Sequence, residues 1–310
     1  MSEVKLTNTP YEDVFRTLLN DCSSLIIPVI NEVFHERYSG KEEVVFSANE
    51  HFMNRQGGNE DERITDSNFK IVGTVTKKYH LECQSNIDSS MLVRLFEYDT
   101  QIALDEGEIK ENVLTVTFPH SAVLYLRCNE STPDKMKIKM VTPGGEVTYD
   151  IPLMKSQQYT LDEIFEKRLL LPFYIFSHEK RFEEYENDET KLKLLQEEYE
   201  LIKNRLEELM NQGEISEYMK CTISDMSNKV LEHIAVKYDS VKKGVQSVMG
   251  GKVLEYEAKT ILNKGREEGR EEGITILVST LKEMNVPIQT ILEKVQEKFN
   301  LSLETAKKYI

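Results

Sequence analysis

The spacing of apolar positions changes several times along the chain, and each change predicts a different element. Residues 10–20, PYEDVFRTLLN, carry Phe15, Leu18 and Leu19 at helical spacing, and Pro10 suits an opening helical position. The apolar pattern resumes through LIIPVINEVF, where Pro28 starts or kinks a second helix. Residues 41–63 are polar and predict a surface loop, most clearly at NRQGGNEDER. Two extended segments follow, ITDSNFKIV and, after a turn at Gly73, TVTKKYHLECQSN. In the second, alternation puts Lys78, His80, Glu82 and Gln84 on one face and Tyr79, Leu81 and Cys83 on the other. The polar face reads as a site or as a solvated surface.

From Ser89 to Leu104 the period is helical again, with Met91, Leu95, Tyr98 and Ile102 near one stripe and Arg94 four residues before Tyr98. HSAVLYLRC is a strand of the kind buried in a central sheet. MKIKMVTPGGEVTYDIPLMK is a hairpin turned at PGGE. This order of elements predicts an α/β fold with a mixed sheet.

After Leu161 the strand pattern ends. A helix interrupted at Pro172 leads to Leu192, Leu195, Tyr199, Ile202, Leu206 and Leu209, whose steps of three and four form a coiled-coil seam. Gly213 is fit to cap that helix, and Met219, Ile223, Met226, Val230 and Ile234 form a returning stripe. The prediction is an antiparallel helical hairpin. In NKGREEGREEGITI the glycines Gly265, Gly269 and Gly273 recur every four residues, as a glycine-lined helix face or as a flexible linker. The last segment predicts two or three short amphipathic helices, a small packing or dimerisation unit in preference to a helix-turn-helix. Three regions result: 1–178 with the sheet, 179–263 with the helical hairpin, and 264–310 with the Gly/charged stretch and the C-terminal helices.

Composition narrows the function classes. No apolar run approaches the ~20 residues of a membrane span, and the N-terminus lacks a signal-peptide pattern, so the expected compartment is the cytoplasm. The four cysteines are scattered without a Cys-x-x-Cys pair, which argues for buried free thiols over a zinc site or a disulfide framework. The net charge of -15 argues against a polyanionic partner, but a bound metal would reverse the local potential, so global charge leaves the question open. Gly-x-Ser-x-Gly, phosphate-loop and His-Glu-x-x-His patterns are absent. Glu12 and Asp13 sit where they complement a helix dipole. Asp66 and Glu82, on successive extended segments, are oxygen donors of the type hard divalent cations take.

The combination PYEDVFRTLL, ITD…HLECQ, QSNIDSSMLVRLFEYDTQIAL, FPHSAVLYLR, TPGGEVTYDIPLMK and GREEGREEG, in this order, resembles the Rpn family of recombination-promoting nucleases and putative transposases. That family belongs to the PD-(D/E)XK nuclease superfamily. The resemblance covers most of the chain. It implies a restriction-endonuclease-like mixed sheet flanked by helices, followed here by an all-α C-terminal region. It also implies a Mg²⁺-dependent deoxyribonuclease, with Mn²⁺ as a substitute, cutting DNA in recombination or mobile-element processes. Asp66 matches the aspartate of the PD element, with Thr65 where proline would stand. Glu82 matches the acidic position of (D/E)XK, and Gln84 stands at the lysine. Glu12, with Asp13 as its neighbouring alternative, matches a first-helix acid that completes the metal shell, and the main-chain carbonyl of Cys83 adds a ligand.

Arg94 and Tyr98 are placed to meet phosphate or DNA, with an ion pair from Arg94 to Glu97 or Glu82 as the equal alternative. Glutamine is neutral and can only hydrogen-bond where lysine would offset charge. Lys78 and Lys70 share the faces of Glu82 and Asp66 but lie four residues away, about 13 Å along a strand. A homodimer through the C-terminal helices is the expected assembly. The alternative function is a catalytically silent nuclease-fold protein that binds DNA or protein partners.

Overall fold

One strand is buried on both faces and the rest of the sheet is laid out around it. In the computed structural model, which describes residues 10–47, 50–54, 60–64, 67–88, 90–250, 269–284, 286–299, 301 and 306–309, that strand is Lys77–Gln84. The strands in chain order are β1 (Glu43–Phe46), β2 (Glu50–Asn54), β3 (Glu60–Ile64), β4 (Ser67–Val72), β5 (Lys77–Gln84), β6 (Glu108–Lys110), β7 (Val113–Thr115), β8 (His120–Tyr125), β9 (Lys135–Thr142) and β10 (Gly145–Lys155). Six of them form one sheet in the order β1-β4-β5-β8-β10-β9. The β1-β4-β5 side is an antiparallel meander, β5 runs parallel to β8 and β8 to β10, and β9 closes the far edge antiparallel.

Burial explains the arrangement. HSAVLY of β8 is buried after its first residue, as a central parallel strand requires. The β9–β10 hairpin turns at Pro143-Gly144, with Gly145 at φ +141. Its outer part is exposed, and Lys135 and Lys139 are paired across strands to Asp150 and Glu146 at 2.6 and 2.7 Å. Those charges discourage a further strand from adding to the β9 edge.

Helix α1 (Pro10–Asp21) buries Val14, Phe15, Leu18 and Leu19, and α2 (Ile26–Phe34) begins two residues before Pro28, where a missing N–H costs nothing. These side chains join Tyr79, Leu81 and Cys83 in the larger core. On the opposite face, α3 (Met91–Asp105) bridges β5 and β8 and covers a second cluster, in which Met91 and Leu95 meet Val123, Tyr125, Ile138 and Ile151.

The polar stretch 41–63 departs from the expected loop. It contains β1, β2 and β3, the last two paired as a separate antiparallel ribbon. The two strands pair through their backbones, and EDERI carries little of the apolar alternation that announces a strand. The short β6–β7 ribbon was likewise not visible in the sequence.

After the sheet come α4 (Leu161–Glu166), opened by a Thr160–Glu163 capping box, then a 3-10 helix over Leu171–Arg181 and α5 (Phe182–Asn187). Pro172 opens that 3-10 helix instead of interrupting an α-helix, and Leu171 through Phe176 are all buried. Helices α6 (Glu189–Asn211), α7 (Glu217–Ile234) and α8 (Asp239–Met249) follow, with Gly213 at φ +73 in the α6–α7 turn.

The predicted seam is buried, but not as a free-standing hairpin. Leu195, Tyr199, Ile202 and Leu206 belong to the same core as α1 and the sheet; α6 packs chiefly on α8 and α5, and α7 on α1 and the 3-10 helix. The first compact unit therefore spans Met1–Gly251, and the boundary expected near residue 178 is not a break in packing. The second unit, Lys252–Ile310, contains α9 (residues 269–283) and α10 (Ile288–Phe299), with Ile274, Val278, Ile291, Leu292 and Val295 as its core. Gly269 and Gly273 lie on a helix, whereas Gly265 is outside the described residues. No helix among the described residues is long and apolar enough to cross a membrane.

The glycines make a prediction. A Cβ at Gly273 would stand 3.7 Å from Phe299, ordinary contact, whereas one at Gly244 of α8 would come within 3.0 Å of Leu192 on α6. Gly273→Ala is expected to stabilise its helix by about 0.5–1 kcal/mol, and Gly244→Ala to gain less or lose stability. Hydrogen exchange resolved by helix measures both.

Candidate active site

Strand β5 brings the chemistry together because its even-numbered residues face α3. Their side chains are not solvated: His80 and Glu82 are fully buried and Gln84 nearly so. Ser121 of β8 is the register partner of His80, and Val123 that of Glu82, so these side chains share one face. Asp99 of α3 descends onto them.

His80 is the centre of this cluster. Its Nδ1 lies 2.7 Å from Asp99 Oδ1 and its Nε2 3.0 Å from Glu82 Oε1. Ser121 Oγ donates to the same Asp99 oxygen at 2.6 Å. Tyr98 packs edge-on against the imidazole, 5.9 Å between ring centroids. Burial opposes a charge on His80, yet the hydrogen bonds and charges of Asp99 and Glu82 together outweigh it and push the imidazolium pKa up to about 10. At neutral pH the ring is therefore a cation donating to two carboxylates.

Glu82 is held on both oxygens. Arg94 Nη2 donates to Oε2 at 3.3 Å, while Arg94 Nη1 lies 3.7 Å from Asp88. Asp88 is held below the usual carboxylate range, first by the Ser90 hydroxyl and main-chain N–H and then by Arg94. Two acids and two cations, Glu82, Asp99, His80 and Arg94, balance one another, which is how a low-dielectric interior tolerates them.

The other expected site residues fall as follows. Asp66 and Thr65 lie outside the described residues; the register of β4 on β5 ends at Ser67↔Leu81, one position before Glu82. Gln84 Nε2 is buried with no hydrogen-bond partner among the described residues. Cys83 turns its thiol into the core on the opposite face. Glu12 is half-buried in the first turn of α1. Arg94 pairs with Glu82 at 3.3 Å and lies 3.7 Å from Asp88. Tyr98 is 3% exposed and packs against the His80 imidazole.

Lys70 and Lys78 both bind Glu106, at 2.7 and 2.9 Å, and so are not stand-ins for the absent lysine. Among the described residues, no group of three or more His, Cys, Asp or Glu side chains is arranged to hold a metal ion.

The sequence reading missed Asp99 and Ser121. Asp99 falls four residues after Leu95, an acid set in the apolar stripe of α3, and that misplacement is a legible signal. Ser121 interrupts an otherwise apolar strand. Arg127, also missed, holds the frame: it forks onto Glu179 at 2.6 and 2.7 Å, and its guanidinium stands 4.9 Å from the Phe176 ring and 5.9 Å from the Tyr11 ring. It thereby ties α1 and the 3-10 helix to the end of β8.

No family model, curated protein or solved structure matches this chain.

The raised His80 pKa sets a pH dependence. His80 binds its proton more tightly folded than unfolded, so its contribution to stability is complete below its ordinary 6.5, declines as pH rises, and is gone above about 10. Urea midpoints at pH 6, 8 and 10 are expected to fall more steeply for the wild type than for His80→Gln. His80→Leu, which leaves two buried carboxylates facing each other, is expected to cost about 3–5 kcal/mol at pH 7.

Proposed function

We propose that this protein is a metal-dependent DNA endonuclease of the restriction-endonuclease-like type, acting in recombination or mobile-element processes. The observation that carries the reading is a fully buried carboxylate, Glu82, on the central strand, with a positive group already drawn up to its Oε2 and Gln84 Nε2 buried without a partner nearby in sequence. An antiparallel meander followed by a helix and a parallel strand is the framework on which such a site is expected.

The donor chemistry fits a divalent cation at Glu82. The side chain offers the hard oxygen such a cation takes, at an atom that Arg94 now engages. Glu82 and Asp66 would hold Mg²⁺ or Mn²⁺, with the main-chain carbonyl of Cys83 and Glu12 as further ligands. When bound, the ion would supply Lewis-acid polarisation of a scissile phosphodiester and a water acidic enough to attack at neutral pH. Arg94, half-buried at the rim of the cluster, would exchange Glu82 for a phosphate oxygen, which its planar fork of donors suits. Gln84 would donate from its unpartnered Nε2 to a phosphate oxygen or to water, orienting without adding charge.

A second reading is a catalytically silent protein that binds DNA or another protein. It is favoured by the engagement of both Glu82 oxygens, Oε1 with His80 and Oε2 with Arg94. Exposed Ile276, Met284 and Ile288 on the second unit support a homodimer through the C-terminal helices in either case.

Supercoiled plasmid incubated with the protein in Mg²⁺ or Mn²⁺ separates the two. The nuclease reading expects nicked and linear products, lost on adding EDTA and reduced at least 100-fold in Glu82→Ala and Asp66→Ala. Cleavage that survives both substitutions would remove the site assignment, and no cleavage with either metal would favour the silent reading.

A further inference from the structure

The β6–β7 ribbon, which follows α3 directly, is exposed along its whole length. Every residue of both strands is exposed, Ile109 to 75%, Val113 to 59% and Leu114 to 53%. Its turn is shaped for a hairpin: Glu111 and Asn112 stand at φ 51 and 64, the hand that matches the twist of the two strands. A two-stranded ribbon is at best marginally stable in water, and three or more strands hold far better. No further strand pairs with β6 or β7 among the described residues. The register Glu108↔Thr115, Ile109↔Leu114, Lys110↔Val113 sets Ile109 and Leu114 side by side on one face. Lys110 and Val113 flank the two-residue turn as its hydrogen-bonded pair. The alternation of an antiparallel ladder therefore turns the N–H and C=O of Ile109 to the open edge.

The sequence of β6 is its own complement. Laid antiparallel on itself about Ile109, Glu-Ile-Lys sets each Glu108 opposite a Lys110 and Ile109 opposite Ile109. Opposite charges facing each other across two strands stabilise the pairing, and like charges oppose it. Strand β9 is the contrary case, because Lys135, Lys137 and Lys139 recur on one face and the same operation sets lysine against lysine. In the single chain Glu108 and Lys110 meet each other, but their side chains are 65% and 79% exposed and can turn to a partner.

We propose that the open edge of β6 pairs with β6 of a second copy of this chain, across a two-fold axis at Ile109. The product is a four-stranded antiparallel ribbon in which Leu114, Ile109 and their two counterparts form one apolar row. Three residues a side bury less than the ~800 Å² per partner of a standard interface, so the association is weak and reversible. It draws on no residue of the second unit or of the Glu82 cluster.

Disulfide trapping on the full chain tests the pairing. In a hydrogen-bonded antiparallel pair the two Cα atoms stand about 5.5 Å apart, within the span of a disulfide. Under oxidised glutathione, Ile109→Cys is expected to form a linked dimer about 10-fold faster than the wild type, whose own cysteines are buried or half-buried. Leu114→Cys, three strand spacings or about 14 Å from its counterpart, is expected not to link. Glu108→Lys and Lys110→Glu are then each combined with Ile109→Cys. Either alone sets like charges face to face and is expected to link about 10-fold more slowly than Ile109→Cys. An equal mixture of the two restores opposite charges between chains and is expected to give the mixed dimer at the Ile109→Cys rate. A role for the Glu108–Lys110 pair within one chain is not rescued by mixing. Ile109→Cys linking no faster than Leu114→Cys, or a mixture no faster than its components, would overturn the proposal.

Discussion

A protonated imidazole between two carboxylates, sealed between a sheet and a helix, is the constraint on which the site depends. His80 reaches Asp99 on one side and Glu82 on the other only if β5, β8 and α3 hold their register. Each buried charge in the set is tolerable because the others neutralise it, and removing any one exposes the desolvation cost of its partner. The cluster thus couples the integrity of the fold to the orientation of a single acid. The second anchor, Arg127 between the Phe176 and Tyr11 rings and forked onto Glu179, fixes α1 and the 3-10 helix to the end of β8.

What was legible in the sequence follows from periodicity. Tyr79, Leu81 and Cys83 alternate with His80, Glu82 and Gln84, and the structure puts the two sets on opposite faces of β5. Met91, Leu95, Tyr98 and Ile102 are all buried on α3, and the PGGE hairpin turns where its glycines predict. Where the period was weak the reading failed. The run from 41 to 64 holds three strands, and the seam from Leu195 to Leu206 is absorbed into a common core. A heptad pattern specifies an apolar face but not what covers it.

The chemistry was legible only in part. The alternation that placed Glu82 beside His80 and Gln84 was readable, and Glu82 proves to be fully buried. The polar face, equally readable as solvent-exposed, is interior. Asp99 and Ser121 come from other elements and meet His80 only through the β5–β8 register, which no local pattern encodes. Lys70 and Lys78, which share the right faces, are both committed to Glu106. Gln84 therefore has no cationic substitute on that face of β4 and β5, and a hydrolytic role would rest on its neutral amide and on Arg94.

The most direct measurement is anomalous diffraction from crystals of the full chain soaked in Mn²⁺. A peak bonded to a Glu82 oxygen, with His80 still on Oε1 and Arg94 moved off Oε2, is the predicted result. Crystals without such a peak at saturating Mn²⁺, with Arg94 still on Glu82, would contradict the assignment of Glu82 as a metal ligand.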